Sequence, residues 1–354
     1  MLSTDFAREV SFEENEELLE IMAFEFHIEE KITDFIGSHP VSLSFDSIPI
    51  LLEEDYFVCE KTDGIRLMMF IYNGFVYFYD RKNKFYQTDI ICTIPTVYMF
   101  DGEMYLEDGK YIYAIFDTLI FNKKVRTADN LTKRLGYAFE FEKIVNKGSI
   151  QRKNDSKFNT FHIIGKNMFK SYSFDVVLDQ ISKLKHDNDG LIFTPVNDPY
   201  VLCSRSKIYK WKPPHLNTVD FLVAKTHDPG IYSLKCTVSE QQIRIIEKSP
   251  GSGRTIHFDY FFLDEEDPKF DTEGFIGEFC FSNEKSIIDM NDLTVKNGGW
   301  VFYKHRSDKS TPNNIKIVLD TVDSLYSLVD AEALRKFQLE MRNNYKAREQ
   351  RVQL

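Results

Sequence analysis

Leu67 to Tyr72 is an unbroken apolar run, followed by Asn73-Gly74 and then by the apolar stretch Phe75 to Tyr79. Two such runs joined by Asn-Gly predict a β-hairpin, because both turn residues tolerate positive φ. A second hairpin is predicted from Tyr98–Leu106 and Tyr111–Leu119, which flank Glu107-Asp108-Gly109-Lys110. Upstream, Glu13 to Glu30 mixes glutamates with Leu18-Leu19, Ile21-Met22, Phe24 and Phe26, the pattern of an amphipathic helix. From Thr127 to Lys185 the pattern turns helical, and the polar stretch Lys147 to Ser156 reads as a loop within it. Ser173 to Lys185 predicts a helix that feeds a strand at Leu191-Ile192-Phe193.

Pro213-Pro214 ends the strand that carries Trp211, since proline cannot continue a ladder. Short β patterns fill Thr218 to Val318, with turn signals at Asp228-Pro229-Gly230, Ser249-Pro250-Gly251-Ser252-Gly253 and Asn297-Gly298-Gly299. They predict a small barrel. From Thr321 to Glu349 the pattern is helical, with Val322, Leu325, Val329, Phe337 and Met341 on one broad face. The chain is therefore expected to be α+β and to hold two domains, residues 1–217 and 218–319. A C-terminal helix over 320–350 is free to return to the first domain.

The 354 residues are 43% hydrophobic and 14% aromatic, enough for a substantial core. A net charge of −11 argues against a broad basic face for nucleic acid, so any RNA contact should be a local groove. Cys59, Cys92, Cys203, Cys236 and Cys280 are scattered and odd in number, which predicts buried free thiols rather than a disulfide set. The N-terminus carries acids early and has no apolar stretch, which argues against a secretory signal. No run approaches a membrane span.

The candidate chemistry starts with Lys61-Thr62-Asp63-Gly64-Ile65-Arg66. A lysine just after the apolar-leaning Tyr56-Phe57-Val58 is held near a strand end, and an amine there can act as a nucleophile once it is deprotonated. Taken alone, the run fits equally a solvated lysine before a β-turn. Asp101 and Glu103 are two apart, so on a strand they share a face, as metal or ribose ligands would. Lys210 and Lys212 likewise share a face around Trp211, about 6–7 Å apart, and could grip a phosphate. His186 reads as a solvated loop residue. Neither a P-loop nor a His-Cys phosphatase loop is present.

Taken in order, Lys61-Thr62-Asp63-Gly64, Asp101-Gly102-Glu103, Ala114-Ile115-Phe116-Asp117, Asp189-Gly190-Leu191-Ile192-Phe193, Lys210-Trp211-Lys212-Pro213-Pro214 and Arg306-Ser307-Asp308-Lys309 resemble the covalent nucleotidyltransferases. Within that superfamily they resemble the mRNA capping guanylyltransferases. The resemblance implies a nucleotidyltransferase domain of antiparallel sheets with flanking helices, followed by an OB-fold barrel. It implies that Lys61 attacks GTP, releases pyrophosphate and carries GMP to the 5′-diphosphate end of nascent RNA. Arg66 and Arg81 would contact the nucleotide's sugar or phosphate, and Phe116 would stack on guanine. Glu103 would serve the ribose and, with Asp189, Mg²⁺ or Mn²⁺, and Lys210 with Lys212 the α-phosphate. Arg306, Asp308 and Lys309 would act on the β and γ phosphates. It also implies a nuclear protein, a separate RNA triphosphatase and docking on the phosphorylated tail of RNA polymerase II. Two rivals stand beside it. One is an ATP-dependent polynucleotide ligase, which shares Lys-x-Asp-Gly but lacks the Arg-x-Asp-Lys ending. The other is a catalytically inactive binding module, which should have lost a motif residue.

Overall fold

The computed structural model describes residues 5–152, 158–213, 216–225, 231–238, 260–262, 274–288, 295–326 and 329–352. The chain divides into two compact units, Met1–Trp211 with Ala331–Leu354, and Lys212–Asp330.

The first unit opens with β1 (Arg8–Glu9), α1 (Phe12–Glu25), β2 (His39–Ser42), α2 (Ile48–Glu53) and β3 (Tyr56–Thr62). It continues through β4 (Ile65–Tyr72), β5 (Phe75–Tyr79), β6 (Phe85–Cys92), β7 (Tyr98–Glu107), β8 (Lys110–Phe121) and β9 (Lys124–Val125). Then come α3 (Leu131–Ile144), β10 (Ile150–Arg152), β11 (Phe161–Gly165), β12 (Phe169–Lys170), α4 (Phe174–Ile181), β13 (Asn188–Pro195) and β14 (Arg205–Trp211). The second unit holds β15 (Thr218–Lys225), β16 (Ile231–Lys235), β17 (Tyr260–Phe262), β18 (Phe275–Ile288), β19 (Val295–His305) and α5 (Ile315–Tyr326). The last helix, α6 (Ala331–Val352), belongs to the first unit.

Strand β4 anchors the larger sheet, ordered β1-β6-β5-β4-β7-β8-β11 with β9 and β10 at its margins. Leu67 to Ile71 are fully buried because both faces of this sheet are covered. Leu67, Met69 and Ile71 join a cluster with Ala138 and Phe141 of α3. Met68 and Phe70 point the other way, toward Leu18, Leu19 and Met22 of α1. Ser11 caps α1 by accepting from the Glu14 amide at 3.2 Å. The predicted turns are left-handed as their residues require, with φ of 48° and 81° at Asn73-Gly74 and 48° and 74° at Asp108-Gly109.

A second sheet, ordered β12-β3-β13-β14-β2, carries Lys61. Most neighbours in the two sheets are antiparallel, but β11 joins β8 and β2 joins β14 in parallel. Five strands ordered β17-β16-β15-β18-β19 form the second unit's sheet, in which β17 also approaches β19. That antiparallel five-strand set is consistent with the small barrel expected from the pattern and with the OB fold that the resemblance implies. Val219, Phe221, Leu234, Phe279 and Trp300 fill it.

Several expectations are corrected. The stretch read as helical after Thr127 contains strands β10, β11 and β12 between α3 and α4. Phe161–Gly165 is short and apolar, and such a run does not distinguish strand from helix by period. The single C-terminal helix is two helices, α5 and α6, assigned to different units. Asp330 stands immediately before Ala331, where a helix-capping residue belongs. Of the five thiols, Cys59 and Cys92 are buried but Cys203 is exposed. The turn signals at Asp228-Pro229-Gly230 and at Ser249 to Gly253 lie outside the described residues. Among the described residues no helix is long and apolar enough to cross a membrane.

Candidate active site

A cleft of about 770 Å³, counted to its open mouth, lies in the first unit. Lys61, Arg66, Arg81, Glu103 and Phe116 line it, together with Glu60, Thr62, Asp101, Lys166 and Ile192.

Lys61 reaches this cleft through a local irregularity. Strand β13 pairs with β3 at Asn188 opposite Thr62 and again at Leu191 opposite Glu60. Two residues, Asp189 and Gly190, therefore oppose Lys61 alone, which is a β-bulge. Gly190 takes φ 147° there. The bulge aims Asp189 at the amine, with Oδ1 2.6 Å from Lys61 Nζ. The Asp63 amide donates to the Asp187 carbonyl at 2.9 Å and ties the following turn to the residue just before β13. Gly64 completes that turn, because a Cβ here would stand 2.5 Å from the Met104 carbonyl oxygen.

Arg66 is fixed before any substrate arrives. Its Nε and Nη2 donate to Asp101 at 3.0 and 2.6 Å, and its Nη1 donates to the Ser38 carbonyl at 2.7 Å. Tyr200 also donates to Asp101. Burial opposes the Arg66 charge, but the Asp101 carboxylate outweighs it and holds the guanidinium above its ordinary range. Asp101 is thus spent on Arg66 and is not the free partner of Glu103 that its spacing suggested. The Arg66 guanidinium lies 5.5 Å from the centre of the Phe116 ring, so cation and aromatic face form one wall. Asp117, the next residue, is buried against Arg134, with Nε–Oδ1 2.7 Å, which fixes β8 where Phe116 emerges.

Glu103 is pushed up to about 7 by burial, which outweighs the attraction of Lys61, Arg66, Lys166 and Arg81. Arg81 stands on a turn organised by buried Asp80, whose Oδ1 accepts from the amides of Lys82 and Lys84. Desolvation at the cleft and the Arg66 charge push Arg81 below its ordinary range.

Lys210 lies on β14 opposite Ile192, and Trp211 is buried beside it. Strand β14 ends at Trp211, so Lys212 is one residue past the strand that was expected to hold both lysines. Neither lysine lines the cleft. Arg306, Asp308 and Lys309 are brought together in the second unit. Arg306 donates to both Asp308 oxygens at 2.9 and 2.8 Å and to Asp220 at 3.0 Å, and Lys309 pairs with Asp220 as well. The Arg306 fork holds Asp308 well below the usual carboxylate range.

One residue escaped the sequence reading and another was misread. Lys166 follows β11, its amide donating to the Ile115 carbonyl at 2.7 Å, so it arrives next to Phe116. Its buried ammonium bonds Glu60 at 2.8 Å and the Thr62 hydroxyl. A lone lysine after an apolar run carries no motif that could have flagged it. His186 is buried rather than solvated, and its Nδ1 lies 3.1 Å from Glu107.

A strand-borne lysine, an aromatic wall, buried cations and carboxylates in one cleft, with a barrel unit after it in the chain, define a nucleotidyltransferase. Comparison with known proteins narrows the class. The family model described as mRNA capping enzyme, catalytic domain matches residues 8–214, and that described as mRNA capping enzyme, C-terminal domain matches residues 216–335. The chain is similar to the mRNA-capping enzyme subunit alpha of Schizosaccharomyces pombe, 30% identical over 85% of this chain and 79% of that protein. It is also similar to the subunit alpha of Saccharomyces cerevisiae, 28% identical over 85% of this chain and 78% of that protein. Among solved structures, mycobacterial DNA ligase D complexed with ATP and MES overlaps at a TM-score of 0.40 and 12% identity, over 78% of this chain and 96% of that chain. The chain belongs to the mRNA capping enzyme family.

Proposed function

We propose that this capping guanylyltransferase takes GMP from GTP onto Lys61 and passes it to the 5′-diphosphate end of RNA. The observation that carries the reading is Lys61, seated in the cleft opposite a bulge that sets Asp189 2.6 Å from its amine. Attack of the Lys61 nitrogen on the α-phosphorus forms a P–N bond, and the bond to the leaving pyrophosphate breaks. In the second step the RNA diphosphate oxygen displaces Lys61.

The base site of this reading is the part of the cleft lined by Phe116, Ile192 and Lys166. Guanine offers two acceptors, O6 and N7, where adenine replaces O6 with an amino donor. An ammonium that can only donate therefore favours guanine. Arg66 and Arg81 serve the sugar and phosphates. Lys210 and Lys212 serve the α-phosphate, and Arg306, Asp308 and Lys309 the leaving pyrophosphate.

Glu103 and Asp189 suit a divalent cation. They are oxygen donors, and Mg²⁺ is commonly held by one or two carboxylates plus substrate phosphates. Burial also leaves Glu103 short of the positive charge that would keep it ionised at neutral pH. No cluster of three or more ligating side chains occurs among the described residues, so the phosphates complete the set. Mg²⁺ or Mn²⁺ bound there would neutralise charge on the carboxylates and the triphosphate. On this reading the enzyme acts on nascent transcripts in the nucleus. On the same reading it receives 5′-diphosphate ends made by an RNA triphosphatase and docks on the phosphorylated tail of RNA polymerase II.

Labelled GTP with Mg²⁺ is expected to leave an acid-labile, alkali-stable label on the protein, in preference to ATP. Equal labelling of Lys61→Ala would refute the assignment, and preferential charging by ATP would restore the ligase rival.

A further inference from the structure

We infer that His186 is a positioning residue for nucleotide selection. It takes over Glu60 when a nucleotide base draws Lys166 away. The inference rests on the proposed role of Lys166 at the base edge.

Glu60 and Thr62 sit two apart on β3 and share a face, and the Lys166 ammonium bridges them. The Glu60 oxygen that accepts from Lys166 at 2.8 Å also lies 3.7 Å from His186 Nε2. On its other side His186 meets Glu107, Nδ1 to Oε1 at 3.1 Å. The imidazole rests against Tyr105, with ring centres 4.4 Å apart. Only 5% of the His186 side chain is exposed, and its Nε2 has no hydrogen-bond partner among the described residues. A buried ring nitrogen left without a partner is costly and calls for an explanation.

The chain Glu107–His186–Glu60–Lys166–Thr62 supplies one. The Lys166 ammonium is committed to Glu60 and Thr62. A 6-oxo purine in the cleft would attract one or more of its three N–H donors. Glu60, mostly buried with its side chain 19% exposed, would then lose part of its compensation. The ring is already held by Glu107 and Tyr105 and stands 3.7 Å away, so a small movement closes Nε2–H onto the vacated oxygen. His186 thereby lowers the cost of sending Lys166 to the base. A base without the 6-oxo acceptor does not recruit Lys166 and gains nothing from the exchange.

The test is single-turnover formation of the protein–nucleotide adduct with GTP varied and ATP added as competitor. His186→Phe is expected to raise half-saturation for GTP roughly fivefold to tenfold, the lower range of what one directed base contact is worth. The rate at saturating GTP should stay within about twofold, and the ATP inhibition constant should not move. His186→Gln restores a donor toward Glu60 and should recover most of the GTP loss, and it keeps the test open if the Phe variant does not fold. Equal weakening toward GTP and ATP, or a Gln variant no better than Phe, overturns the proposal. Lys166→Met in the same assay separates the underlying reading. If it keeps the wild-type preference for GTP over ATP, Lys166 does not read the base and the inference falls with it. Absence of any adduct in the wild type would instead refute the proposed function.

Discussion

Glu103→Gln should alter how stability depends on pH. Burial makes the Glu103 carboxyl hold its proton more tightly in the folded chain, moving it from 4.5 to about 7. A folded state that binds a proton more strongly is favoured at low pH. Its advantage is whole below pH 4.5 and is lost as pH climbs through about 7. The shift corresponds to about 3 kcal/mol between the two limits. Lys61, Arg66, Lys166 and Arg81 already pull the other way, and burial still prevails. Glutamine keeps the shape and cannot titrate. Guanidinium unfolding at pH 5 and pH 8, without nucleotide or metal, measures the difference. Trp211 in the first unit reports the transition if Trp300, the second unit's tryptophan, is replaced by Phe in both proteins. The parent is expected to lose about 2.5 kcal/mol more between the two pH values than Glu103→Gln, since part of the effect already lies below pH 5. Parallel losses would show that Glu103 is ionised in the folded protein throughout, and the burial argument would fail.

Phe116→Ala should raise half-saturation for GTP by roughly tenfold with little change in saturated rate, since stacking on a base is worth about 1–3 kcal/mol; an unchanged value would remove Phe116 from the base site. Arg134→Met strands the buried Asp117 carboxylate and should cost about 3–5 kcal/mol in denaturant titration; a loss within the scatter of surface substitutions would show that the pair is not needed. Burial pushes the Cys59 thiol up to about 12, so it should resist iodoacetamide at pH 8 until the chain is unfolded, while exposed Cys203 reacts first. Peptide mapping showing Cys59 modified in the native protein would contradict that.

The parts of the fold visible in the chain are those where local chemistry and packing agree. β4 is apolar on both faces because both faces are covered, and Asn73-Gly74 and Asp108-Gly109 suit the φ values that their turns demand. Asn122-Lys123 makes a third left-handed turn, with φ of 51° and 61°, but lysine gives no such hint and β8 was expected to end early. β11 was invisible as a strand because its pairing with β8 is long-range and parallel. The motif residues around Lys61 were readable from their order. Their settings were not: Asp101 looked like a ligand and is committed to Arg66. His186 sits in the polar run Lys185-His186-Asp187-Asn188-Asp189, so it looked solvated. Tyr105, Glu107 and Glu60, all distant in sequence, bury it instead.

Peptide mass spectrometry after incubation with GTP and Mg²⁺ tests the covalent step most directly. One GMP per chain, attached to the Lys61 side chain and released on adding pyrophosphate, is the expected result. An adduct on any other residue, or none under conditions that support cap formation, would contradict the account.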